Sequence, residues 1–254
     1  MKALRALAYN LAFFGGTTLM LLVALPLLLA PRRCTNWLAH FWTWSMFGFL
    51  KLFVGLDYEV RGRENLPAGA AILAMKHQSA WDTLAIFRLF DDPAVVLKRE
   101  LWRIPLFGWF LRKHGTIAID REGRASALKK LVADAGRAAA EGRSIVIFPE
   151  GTRGPVGAKL EYQPGVAALY TQLGLPMVPV ALNSGLYWGR KAFMKRPGRV
   201  LVEILPPIAP GLPRREVMAR LESDIEGATH ALLVEAGWRD KPVENSVDHS
   251  TANA

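Results

Sequence analysis

The sequence predicts an α/β fold: a mixed, largely parallel sheet flanked by helices, with an apolar helical segment in front of it. Three observations carry that prediction. After Asp57, seven short apolar runs are bounded mostly by Gly or Pro, and longer polar-apolar stretches of helical period alternate with them; before Asp57, charge is sparse.

The first element is the 26-residue run from Ala6 to Pro31, which contains no charged side chain. As a continuous helix it would reach about 39 Å, more than the roughly 30 Å of a bilayer's hydrocarbon core. Gly15, Gly16 and Pro26 argue against a straight rod. A second uncharged stretch, Cys34 to Leu50, carries Trp37, Phe41, Trp42, Trp44, Phe47 and Phe49, an aromatic density suited to the headgroup boundary. Basic residues at Lys2 and Arg5, Arg32 and Arg33, and Lys51 flank both stretches, so the positive-inside rule gives no orientation. Two geometries follow: one span and an interfacial helix, or a two-helix hairpin within one leaflet. A cleaved signal peptide fits poorly, because the run exceeds an ordinary apolar core of such a peptide and the next segment is also apolar.

The strands are expected at Tyr58–Val60, Ala70–Met75, Ala94–Leu97, Thr116–Ile119, Ser144–Phe148, Met177–Leu182 and Val200–Leu205. Helices are expected at Trp81–Phe90, Arg124–Glu141, Val166–Leu173 and Arg214–Ala236. This divides the chain into an anchoring segment (1–56), an α/β domain (57–239) and a polar, frayed tail (240–254). Ligands of such sheets bind at the C-terminal ends of strands.

Composition narrows the function. With 51% hydrophobic and 21% charged residues, the chain is neither a disordered polyelectrolyte nor a polytopic transporter. Its charge of +10 comes with a positive mean hydropathy of +0.16, a combination that favours an anionic phospholipid membrane over nucleic acid as partner. The single cysteine, Cys34, excludes an intramolecular disulfide framework. From Lys98 to Lys130, nine Lys/Arg face three Asp/Glu; Arg190, Lys191, Lys195, Arg196 and Arg199 form a second basic group among Tyr187, Trp188 and Phe193.

His77 and Asp82 lie where a strand gives way to a helix. On one continuous helix, five residues would set them about 140° apart and out of reach. With His77 in the turn and Asp82 in the first helical turn, the carboxylate can fold back to Nδ1, which leaves Nε2 to accept a proton. A helix-start aspartate beside a loop histidine is the plain alternative. Arg121 and Arg153 each end a turn after a strand, where a guanidinium can take a phosphate bidentately or simply be solvated.

Together these blocks resemble the membrane-associated glycerolipid acyltransferases. His77-Gln-Ser-Ala-Trp-Asp82 is similar to that family's His-x4-Asp block, and Lys98 to Arg121, with Pro105, Gly108 and Gly115, to its second. Phe148-Pro-Glu-Gly-Thr-Arg153, which begins 71 residues after His77, matches the third, and Val178-Pro-Val180 the fourth. Lys76, where relatives often carry Asn, and Gly154, where they often carry Ser, depart from the pattern. The resemblance implies that His77 deprotonates the sn-2 hydroxyl of 1-acylglycerol-3-phosphate as it attacks an acyl thioester, of coenzyme A or of acyl carrier protein, while Asp82 orients the ring. It implies a glycerol-phosphate site made by Lys98, Arg121, Glu150, Gly151 and Arg153, with Lys98 alternatively near the developing oxyanion. It also implies a domain on the cytoplasmic side of the inner membrane, no acyl-enzyme, no cofactor and no metal. The residues agree independently: the sequence has no Gly-x-Ser-x-Gly elbow, no phosphate-loop spacing, no dinucleotide fingerprint and no zinc motif. Another lysolipid acceptor, or a non-enzymatic lipid or nucleic-acid binding protein on the same scaffold, are the competing readings.

Overall fold

The computed structural model describes residues 2–120 and 124–239; the predicted tail and Arg121 lie outside the described residues. Seven strands form one sheet in the order β1-β7-β6-β2-β5-β3-β4. They are β1 (Leu56–Arg61), β2 (Ile72–Met75), β3 (Ala94–Lys98), β4 (Ile117–Ile119), β5 (Ile145–Ile147), β6 (Met177–Leu182) and β7 (Gly198–Ile204). Only β6 and β7 pair antiparallel, so the sheet is mixed and largely parallel, as the sequence predicts.

The central strands read as unbroken apolar runs because both faces of the sheet are covered. Leu73, Met75, Val146, Val178 and Val180 enter one core, with α3 (Arg32–Phe49) and α4 (Ala80–Leu89) above it. Ile72, Ala74, Ile145, Ile147 and Met177 enter the other, under α6 (Arg124–Ala140), α7 (Pro164–Leu173) and α8 (Arg214–Glu235). Neighbouring residues of one strand thus serve opposite cores, the period-2 rule at work. Trp81, almost fully buried, meets Phe47 and Tyr58 edge-on and joins α4 to α3 and β1. Burial of side chains this size contributes about 1.5–3 kcal/mol each.

The N-terminal segment is α1 (Lys2–Leu11), a π-turn over Ala12–Gly16, α2 (Thr17–Val23) and a 3₁₀ turn over Leu25–Leu28. The interruptions fall at Gly15-Gly16 and Pro26, the residues that argued against a straight rod. The helices return along the α/β domain instead of leaving it. Tyr9 is buried edge-on against Trp188, with ring centroids 5.6 Å apart, and Lys195 Nζ donates to Asn10 Oδ1 at 2.6 Å. At the turn, Arg32 grips Asp92 with two bonds of 2.7 and 2.8 Å; one and two helical turns later, Asn36 Nδ2 and His40 Nε2 donate to the Asp91 carbonyl. The outward surface carries Leu4, Leu11, Phe14, Leu19, Val23, Trp37, Phe41 and Trp44, all exposed. Ala3–Val23 is long and apolar enough to cross a membrane.

One helix was not expected: α5 (Phe107–His114) occupies the stretch between the third and fourth strands. His114 at its end is buried and bonds Asn36 Oδ1 through Nε2 at 3.1 Å, so α5 is tied to α3.

Candidate active site

Strands β2, β5 and β6 are adjacent and parallel, so their C-terminal ends open on one edge of the sheet. His77 follows β2 by two residues, Phe148 to Glu150 follow β5 directly, and Ser184 follows β6 by two. Residues far apart in sequence are therefore brought together by sheet order alone.

Ser79 caps α4: its Oγ accepts from Trp81 N at 3.0 Å, and Asp82 Oδ2 accepts from Ser79 N at 2.8 Å, a reciprocal capping box. The same Asp82 Oδ2 lies 3.0 Å from His77 Nδ1 and accepts from Gln78 N at 2.6 Å. Oδ1 accepts from the Ser184 hydroxyl. Asp82 is fully buried, and four donors hold its charge there. Helix start and ring orientation are thus tasks of one carboxylate, and the two readings of Asp82 offered by the sequence are both correct in geometry.

His77 is pinned at its ring and at its backbone. Phe148 stacks on the imidazole, with centroids 3.9 Å apart and an interplanar angle of 17°. Gly154 N donates to the His77 carbonyl at 2.9 Å, and His77 N donates to Glu150 Oε2 at 2.7 Å. With Nδ1 turned to Asp82, Nε2 is the ring nitrogen left for a ligand. The Phe148 to Arg153 stretch turns sharply: Gly151 N reaches the Phe148 carbonyl at 3.0 Å, and Gly151 has φ of +65°, where a side chain is disfavoured.

A cavity of about 1150 Å³ begins at this edge. His77, Lys98, Glu150, Gly151 and Arg153 line it together with Phe13, Leu38 and Trp42 of the N-terminal helices, so it runs from the polar strand ends along an apolar wall formed by those helices. Lys98 is half-exposed and pairs with Glu100 at 3.0 Å; Arg153 makes no ion pair with any described residue. Glu150 is placed differently from an open ligand group. It is buried, its Oε1 is 2.7 Å from Lys76 Nζ and its Oε2 is taken by His77 N. Burial pushes its carboxyl above the ordinary range, and Lys76 opposes that shift. Of the seven residues the sequence singled out, six converge on this cavity or its wall; the seventh, Arg121, lies outside the described residues. Sequence reasoning missed Phe148 as a stacking partner and Ser184 as a donor to Asp82. The lysine directly before His77 was visible as a departure, and a charge ending an apolar strand signals a buried partner.

No group of three or more His, Cys, Asp or Glu suited to a metal ion occurs among the described residues.

The family model described as Acyltransferase matches residues 57–183. The 1-acyl-sn-glycerol-3-phosphate acyltransferase of Pseudomonas aeruginosa is 36% identical over 208 residues, covering 81% of this chain and 79% of that one. The Saccharomyces cerevisiae protein of the same name is 33% identical over 164 residues, 63% of this chain and 54% of its own. Among solved structures, the 1-acyl-sn-glycerophosphate (LPA) acyltransferase PlsC of Thermotoga maritima superposes with a TM-score of 0.74 over 91% of this chain and 99% of that chain, at 22% identity, a likeness of fold.

Proposed function

The chain belongs to the acyltransferase family, and from that premise we propose that it moves a fatty acyl group from a thioester to the sn-2 hydroxyl of 1-acylglycerol-3-phosphate, yielding phosphatidic acid. The observation that carries this reading is the His77–Asp82 pair at the mouth of a long, largely apolar cavity whose lining includes Arg153, an arginine with no ion pair among the described residues. The hydroxyl proton passes to His77 Nε2 as the oxygen attacks the thioester carbonyl; the carbon–sulfur bond then breaks, and the proton leaves with the thiolate. Asp82 stabilises the imidazolium formed in between. Direct transfer, with no acyl-enzyme, is supported by the two serines nearest the pair being otherwise engaged: Ser79 is buried as a helix cap and Ser184 is buried against Asp82.

Arg153 and Lys98, with Arg121 from outside the described residues, would hold the acceptor's phosphate, and Gly151 lets the backbone approach it. The donor is acyl-coenzyme A or acyl carrier protein; no cofactor or nucleic acid takes part. The N-terminal helices would lie within one leaflet of the inner membrane, the α/β domain on the cytoplasmic side. Support for the hairpin is that Tyr9, Arg32 and Leu50 all rest on the domain, which a perpendicular span would not allow.

The test is turnover of purified protein with acyl-coenzyme A and a panel of lysolipids. His77→Ala is expected to lower kcat by at least ~10²–10⁴-fold with the fold intact. Wild-type-like turnover in that variant sinks the mechanism, and equal rates with choline-headed and phosphate-monoester acceptors would sink the proposed acceptor.

A further inference from the structure

We propose that Lys76 and Glu226 are positioning residues, which fix the His77 backbone through Glu150 and so make α8 part of the catalytic apparatus. The inference rests on His77 being the base. Lys76 Nζ, 1% exposed, sits 2.7 Å from Glu150 Oε1 and 2.7 and 2.8 Å from the two oxygens of Glu226. Glu226 lies on α8, beyond the segment matched by the family model, and its Oε1 also accepts from Tyr162 at 2.9 Å. The chain of contacts is therefore α8 to Lys76 to Glu150 to the His77 amide.

The arrangement is more than a buried charge pair. Glu150 can accept from His77 N with full strength only as a carboxylate, and a carboxylate buried this deeply needs a cation. Lys76 is the only side-chain cation among the described residues that contacts it. Without the ammonium, burial would favour the protonated acid, leaving a single carbonyl oxygen free to turn either way. Glu226 in turn supplies the second carboxylate that keeps Lys76 from swinging out along the strand edge. Breaking one member of such a buried set costs far more than replacing the set by a neutral one, because the survivor is left uncompensated. That asymmetry makes the network testable.

The experiment compares wild type, Lys76→Met, Glu150→Gln, the Lys76→Met/Glu150→Gln double variant and Glu226→Gln in full-length protein. For each, kcat, KM for lysophosphatidate, KM for acyl-coenzyme A and the thermal midpoint are measured. Lys76→Met and Glu150→Gln are each expected to lower kcat by about 30-fold, with both KM values within twofold. In the double variant the glutamine oxygen accepts from His77 N and its amide turns toward Glu226, and kcat returns to within about fivefold of wild type. Glu226→Gln lowers kcat about threefold. The proposal is overturned if folded Lys76→Met turns over like wild type, if KM for lysophosphatidate rises while kcat holds, or if the losses in the double variant multiply. A purely structural role predicts a lower midpoint with unchanged kcat, which also overturns it. Should Lys76→Met fail to fold, the double variant and Glu226→Gln decide: no loss in Glu226→Gln and no recovery in the double variant over Glu150→Gln would refute the coupling.

Discussion

The N-terminal helices and the strand-end crevice invert each other. The helices expose large apolar groups and bond the sheet domain through polar ones: Trp37, Phe41 and Trp44 face out, while Arg32, Asn36 and His40 of the same helix reach Asp91 and Asp92. The crevice buries ions instead, with Asp82, Glu150 and Lys76 all nearly inaccessible. Each inversion requires a specific compensation. Exposed aromatics call for a surrounding other than water, which the proposed bilayer interface would supply; buried ions need partners, which the strand ends and α8 supply. The cavity joins the two, with its polar mouth in one region and its apolar depth in the other.

The contrast can be broken most strongly from outside. Replacing Trp37, Phe41 and Trp44 by Ser removes three half-exposed aromatic anchors at about 1–1.5 kcal/mol each, so affinity for anionic vesicles should fall by about 10²–10³-fold. Activity on detergent-dispersed substrate should change little. Unchanged vesicle binding in a flotation assay would show that these residues do not face lipid.

The seam between the regions gives the second effect. His114 joins α5 to Asn36 on α3, and burial, aided by the nearby Arg143 and opposed by Asp92, lowers its pKa to about 4. An unfolded histidine titrates near 6.5, so the unfolded state binds the proton first as pH falls. Stability is therefore full above about pH 6.5 and is lost progressively toward pH 4, by on the order of 3 kcal/mol. Denaturant unfolding at several pH values should show that slope in wild type and a shallower one in His114→Gln; identical slopes would dismiss the seam as a pH-sensitive joint.

The third and smallest effect sharpens the inner region. Ser184→Ala removes one of four donors to Asp82, and loss of a hydrogen bond to a buried charge, about 1.5 kcal/mol, corresponds to roughly tenfold in kcat. Both KM values should stay close to wild type. A tenfold rise in KM with kcat preserved would assign Ser184 to substrate binding instead.

Most of the sheet was legible because strands covered on both faces are short apolar runs between turn residues, as at Ile145–Ile147 and Met177–Leu182. Boundaries were drawn too wide where flanking apolar residues, such as Ala70 and Ala71 before β2, continue the run without continuing the ladder. Helix α5 escaped because it is only eight residues long and is held by packing Phe110 against the N-terminal helices, a contact remote in sequence. In the site, the His77–Asp82 contact was legible since five residues and a turn decide it. The partners Phe148, Ser184 and Glu226 stand 71, 102 and 150 positions from the residues they touch; strand order brings the first two there, and the packing of α8 brings the third.

Asp82 deserves to be followed into descent. One of its oxygens, Oδ2, both caps the start of α4 and faces the imidazole. On the proposed mechanism, selection for folding and selection for turnover fall together on this side chain, whereas the His77 ring, which caps no helix, answers mainly to the second. A lineage that gave up the reaction would be expected to drift first at position 77 and to keep aspartate at 82, so a retained Asp82 beside a changed His77 would mark a relative that has kept the scaffold and abandoned the chemistry.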